Sequence, residues 1–168
     1  AASVLRCSPL SRALGKKMEI ITYTKESNHA QEIIELFSWA ERCYLCTSFV
    51  DKQSIELLLP TLQAKAENEQ FYVTLFSNAE SKYTKPWVIK KLNKLPYITH
   101  NVVKPGGRRL HSKIYLFVRK DEFVVIIGSA NLTANGLMNN EEMSMKQKGI
   151  IPSMEFSEIE NYFTALER

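Results

Sequence analysis

The sequence predicts a layered α/β domain, on three observations. From Met18 onward, short apolar runs of strand character alternate with segments whose apolar residues recur at helical spacing. The helical segments open on capping residues, and turn signals such as Pro105-Gly106-Gly107 separate the later strands. A chain of 168 residues, 45% hydrophobic and 24% charged, has room for one ordinary core. That balance excludes a disordered chain and a disulfide-stapled miniprotein.

Glu19 to Thr24 alternates as a strand should. Asn28 caps a helix to about Glu41, with Ile33, Leu36, Phe37 and Ala40 on one face. Cys43 to Val50 reads as a buried strand. Asp51 caps a second helix through Leu62 or beyond, which Pro60 is expected to kink or interrupt. Phe71 to Phe76 is a strand, and Thr84 with Pro86 opens a short helix carrying Trp87, Val88, Leu92 and Leu95, with Trp87, like Trp39, expected to pack against the core. Ile98 to Val103 is extended, strands follow at 110–118 and 123–129, 141–147 is a further strand, and Glu155 to Glu167 closes as an amphipathic helix. Residues 1–17 carry four bases and no acid and read as an appendage, either a vector-derived remnant or a transit-peptide-like segment. The domain is therefore expected over 18–168.

The longest apolar run, Phe123 to Ile127, is far short of the roughly 20 residues a membrane span needs. Three cysteines are an odd number for a disulfide scaffold, so reduced thiols and a cytoplasmic location are expected. Cys43-x-x-Cys46 has zinc-knuckle spacing, but residues three apart on a strand face opposite ways and no second pair exists, so no metal or other cofactor is assigned. Charge is segregated: residues 79–120 hold eleven bases and one acid, Glu80, whereas the segments on either side are acidic. A cationic surface facing an anionic partner, nucleic acid first, explains that pattern. Lys90, Lys91 and Lys94 on a helix face, and Lys104, Arg108 and Arg109 just before His111, are the candidate backbone contacts.

His111 and Lys113 lie two apart on a strand, so both side chains leave one face. Ser129 and Asn131 stand two apart at the end of the next strand. A hairpin centred on Asp121 sets His111 opposite Asn131 and Lys113 opposite Ser129, which makes one compact polar patch. A histidine can act as nucleophile or acid–base group near neutral pH, and a lysine and an asparagine amide offer donors to phosphate oxygens.

His111-Ser112-Lys113 followed by Gly128-Ser129-Ala130-Asn131 resembles the HxK…GSxN signature of the phospholipase D superfamily. The surrounding residues 108–145, with Asn140-Glu141-Glu142, are most similar to its nuclease branch, including restriction-type relatives. The resemblance implies a phospholipase D-like α/β fold, a mixed β-sheet flanked by helices. It implies that His111 attacks phosphorus to form a phosphohistidine, that Lys113 and Asn131 hold the non-bridging oxygens, and that Ser129 bonds within the site. A carboxylate eleven residues after the asparagine commonly orients the histidine; Glu142 stands there, with Glu141 as its rival. One departure is Val118, where the family often has an aspartate. The mechanism asks for two histidines, and this chain has one such motif; His29 reads as an exposed helix-start residue and His100 as a strand-edge one. A homodimer sharing its site is therefore expected. The implied activity is metal-independent cleavage of nucleic acid, DNA ahead of RNA, with a recognition domain or subunit as a further partner and no stable membrane association. A lipid phosphodiesterase and a non-catalytic binding module are the alternatives.

Overall fold

The computed structural model describes residues 18–24 and 26–167. The tail reading of 1–17 lies outside them. The elements run β1 (Met18–Thr22), α1 (His29–Trp39), β2 (Arg42–Thr47), α2 (Lys52–Asn68), β3 (Tyr72–Asn78), α3 (Pro86–Leu92), β4 (Ile98–Val103), β5 (Ile114–Arg119), β6 (Glu122–Gly128), β7 (Met143–Ile150) and α4 (Met154–Leu166). A π-helical turn, Asn135–Asn139, which the sequence reading did not include, lies between β6 and β7. Every strand and helix expected from the sequence is present; the boundaries differ.

One seven-stranded sheet, in the order β1-β7-β6-β5-β2-β3-β4, forms the middle layer. β2, β3 and β4 pair in parallel through the crossovers α2 and α3, while β5, β6, β7 and β1 pair antiparallel. Alternation within the strands divides the core in two. Cys43, Leu45, Val73, Leu75, Tyr115, Phe117 and Ile126 face α1, α2 and α3. Cys46, Phe76, Leu116, Val118, Phe123 and Val125 face Phe156, Phe163 and Leu166 of α4. The two cysteines thus point to opposite faces of β2, as their spacing on a strand requires.

Asn28 accepts from the Gln31 amide while the Gln31 side chain returns to the Asn28 amide, a complete capping box. Asp51 caps α2 through the Ser54 amide. Three expectations need correction. α2 runs through Pro60 to Asn68, because Pro60 is exposed while Ile55, Leu58 and Leu62 anchor the helix on both sides of it. Thr84 does not cap α3; it is buried and donates to Ser77. Trp87 is exposed rather than packed into the core, with the Lys52 ammonium over its ring at 5.3 Å. No helix of the described residues is long and apolar enough to cross a membrane.

His100 sits on the edge strand β4, as its sequence position suggested, and its Nε2 lies 2.8 Å from Ser77 Oγ. Burial pushes its pKa down to about 4. Between its ordinary 6.5 and that value the unfolded chain takes a proton that the folded chain refuses, so stability drops as pH falls through this window. The expected loss is roughly 3 kcal/mol. Urea unfolding of the wild type and of His100→Gln at stepped pH should show that part of the acid dependence only in the wild type.

Candidate active site

The β5–β6 hairpin is tighter than a turn centred on Asp121. Arg119 pairs with Glu122, leaving the two-residue loop Lys120-Asp121, and Lys120 takes the positive φ of 52° that such a loop needs at its first position. The ladder is therefore shifted by one residue from the expected register, and its last pair is Ile114 with Ile127. In a continuous ladder this slip would scatter the polar patch. It does not, because the register ends where the Gly128 amide bonds the Lys113 carbonyl, and the His111 and Ser129–Asn131 side chains are placed by other contacts. His111 and Lys113 precede β5 instead of standing on it.

Gly128 ends β6 against β7. A Cβ there would come within 2.1 Å of Ser144 Oγ and 2.4 Å of the Met143 carbonyl, so only glycine allows this approach. The Ser129 amide then bonds the Met143 carbonyl at 3.1 Å, turning the chain out of the sheet. Asn131 is fixed from the first half of the chain: its Oδ1 accepts from the Phe49 amide at 3.2 Å and lies 3.3 Å from Thr47 Oγ1, whose one proton it shares with the Phe49 carbonyl at 3.0 Å, which leaves Nδ2 as its donor. Thr47 Oγ1 also accepts from the Leu132 amide, Asp51 accepts from the Ala134 amide, and the buried Tyr115 hydroxyl donates to the Ala130 carbonyl. Gly136 presses on the Asn131 backbone at a distance no side chain could share.

The result is a cleft of about 580 Å³ lined by His111, Ser112, Lys113, Ile114, Ile127, Gly128, Ser129 and Asn131. Four of the five expected catalytic residues line it. His111 is exposed, whereas Lys113 is buried, with Nζ 3.2 Å and 3.4 Å from the two imidazole nitrogens and donating to the His111 carbonyl at 2.8 Å. Burial lowers the Lys113 pKa, opposed by the charge of Glu142. Glu142 is one step removed from the cleft. Its carboxylate accepts from the Ser129 hydroxyl and from Asn140 Nδ2, so within the chain it orients Ser129 instead of His111. Its rival Glu141 is exposed.

The six candidate backbone-contacting bases divide. Lys104, Arg108 and Arg109 are exposed on the loop that leads into His111, and Arg109 is paired with Glu80 at 2.7 Å. Lys90 and Lys91 on α3, and Lys94 just after it, do not line the cleft; α3 packs at the β4 end of the sheet. His29 is buried, not exposed: β7 brings Ser144 Oγ within 2.8 Å of its Nε2, and desolvation lowers its pKa. Thr47, the Phe49 amide, Ser144 and Gly136 were missed by sequence reasoning. Asp51 carried a signal, but only as a helix cap.

Comparison with protein families matches residues 84–168, half of the chain, to the NgoFVII restriction endonuclease N-terminal PLD domain. The chain belongs to this family. It is a phospholipase D-superfamily nuclease domain, and its enzyme class is that of phosphodiester hydrolases. Solved structures with the same fold include NucT from Helicobacter pylori, with a TM-score of 0.61 and 16% identity over 89% of this chain and 94% of that one. Nuc from Salmonella typhimurium, a phospholipase D family member, gives 0.65 and 14% over 89% and 93%. A phosphatidylserine synthase from Haemophilus influenzae gives 0.64 and 13% over 90% of this chain and 41% of that one. No curated protein matches.

Thr47 is the side chain of the first half that reaches both Asn131 and the Leu132 amide. Thr47→Val keeps the shape but leaves the Leu132 amide and Asn131 Oδ1 each short of a partner, so unfolding free energy should drop by about 1–3 kcal/mol. Thr47→Ser should lie close to the wild type. Denaturant unfolding of the three proteins measures both.

Proposed function

We propose that this domain hydrolyses phosphodiester bonds of nucleic acid through a covalent phosphohistidine at His111, in a site completed by a second copy of the chain. The observation that carries the reading is the exposed His111 imidazole at a cleft whose other polar groups, Lys113, Ser129 and Asn131, are donors suited to phosphate oxygens. A ring nitrogen of His111 bonds to phosphorus as the bond to the leaving oxygen breaks, and His111 of the second copy gives that oxygen its proton. Water then bonds to phosphorus and passes a proton back to the second imidazole, while the N–P bond breaks and frees the first.

The fold does not choose the substrate, since a phosphatidylserine synthase shares it. Family membership and the eleven bases of residues 79–120 support nucleic acid. The donor set also supports chemistry without a metal: Lys113 and Asn131 are poor ligands for a hard divalent cation, and the nearest carboxylate, Glu142, is engaged by Ser129 and Asn140. Buried free thiols at Cys43 and Cys46 support a cytoplasmic setting.

Two features support the second copy. One is the need for two imidazoles where the chain supplies a single HxK…GSxN set. The other is an apolar row on the α4 face of the sheet, where Ile20 of β1, Met145 of β7, Ile127 of β6 and Ile114 of β5 stand directly opposite one another. Met18 and Met143 extend the row, and apart from half-buried Ile114 these residues are 36–62% exposed. Large apolar side chains in such continuity mark a contact surface, and the row ends at the cleft, because Ile114 and Ile127 line it.

Cleavage of labelled single- and double-stranded DNA and RNA should persist in excess EDTA. Loss on chelation with recovery on adding a divalent ion would overturn the phosphohistidine route. Met145→Asp should shift the protein from dimer to monomer in sedimentation, because a carboxylate on the apolar row has no partner there. Mixed dimers carrying one His111→Ala chain should be nearly inactive in single-turnover cleavage. Retention of half the activity would show that each chain works alone.

A further inference from the structure

A second hollow, of about 280 Å³, opens on the other side of His111. Val103 at the end of β4, Leu110, and Leu166 in the last turn of α4 give it apolar walls. Tyr162, Arg108 and Arg109 complete it, and His111 and Ser112 form the ridge it shares with the cleft. Tyr162 is joined by its hydroxyl to Ser112 Oγ, and the Ser112 carbonyl accepts from the Cys46 thiol at 3.7 Å. The wall of the hollow and the segment bearing His111 are therefore tied together. Both arginines are exposed, but the Arg109 guanidinium is engaged by Glu80 and the Tyr83 ring.

The hollow and the apolar row lie toward opposite edges of the sheet. The row runs from the cleft toward β1, and the hollow reaches Val103 on β4. A second copy seated on the row thus leaves this side of His111 for substrate. Apolar walls, one aromatic ring and two guanidiniums, of which Arg109 is already paired with Glu80, beside a group that bonds to phosphorus, match the chemistry of a base joined to a phosphate. The volume, at the low end for ligand pockets, suits one nucleoside and not a duplex.

We propose that this hollow receives the unstacked base of the nucleotide adjoining the scissile phosphate, with Arg108 at its rim. The inference rests on the nucleic-acid reading above, and it makes single-stranded or locally opened segments the preferred substrate. A base held in a duplex is stacked on its neighbours and cannot enter without leaving them.

The test uses single-stranded oligonucleotides with one cleavable phosphodiester, carrying a normal or an abasic nucleotide on either side of it. In wild-type protein the abasic change on one side should raise KM about tenfold with kcat within twofold, the effect of losing one stacked base. Arg108→Gln, and separately Leu166→Phe to fill the hollow, should raise KM for the intact strand and bring the intact-to-abasic ratio near one; circular dichroism checks that both fold. Fluorescence anisotropy with the same oligonucleotides gives an independent readout. Base-dependent binding that Arg108→Gln abolishes, with no cleavage of any oligonucleotide, would uphold the subsite and sink the nuclease reading. Equal KM and equal binding for intact and abasic strands, or a ratio unchanged in both variants, would overturn the subsite.

Discussion

Thr47 and Asp51 hold the chain as it leaves β6, and the geometry of the cleft follows from that hold. Between them they engage the Leu132 and Ala134 amides and the Asn131 side-chain oxygen, while Gly128 lets β7 close against the start of the turn. Without that clamp Ser129–Ala134 would be a loop off the end of a hairpin, with Asn131 held by the Phe49 amide and the Tyr115 contact to Ala130 alone. The clamp joins the two halves of the chain. Residues 84–168, which match the family, bring His111, Lys113, Ser129, Asn131 and Glu142; the end of β2 and the loop after it bring the partners that position Asn131.

The same construction accounts for the buried lysine. Lys113 has lost most of its contact with water and is held by the His111 carbonyl and the charge of Glu142. An ammonium fixed in low dielectric acts on a phosphate oxygen more strongly than one in solvent and needs no reorganisation when charge develops there. Glu142 serves two ends at once, since its charge supports Lys113 while its oxygens fix Ser129 and Asn140.

Local signals were legible in the sequence and long-range ones were not. The Asn28 cap, the Asp51 cap, the alternation that separates Cys43 from Cys46, and the closing helix are all set by residues within a turn of each other. The HxK…GSxN pattern was legible because its two halves flank one hairpin. The register was off by one because Lys120 accepts a positive φ, which composition does not announce. His29 was misjudged because its partner, Ser144, is 115 residues away. Thr47 was invisible for the same reason: a threonine at the end of a buried strand is ordinary until Asn131 and Leu132 arrive beside it from a distant part of the chain.

Symmetry adds a consequence to the proposed pair. A phosphodiester strand has a direction, whereas a site on a twofold axis has none, so a strand can lie across it in two orientations that the axis exchanges. In one orientation the first His111 faces phosphorus opposite the leaving oxygen; in the other the second does. Neither imidazole is built as nucleophile or as acid, because their surroundings are identical before substrate arrives. The asymmetry must come from the substrate, and the hollow beside each His111 is where it can be expressed. Whichever hollow takes the adjoining base fixes the direction of the strand, and with it the division of labour between two otherwise equivalent histidines.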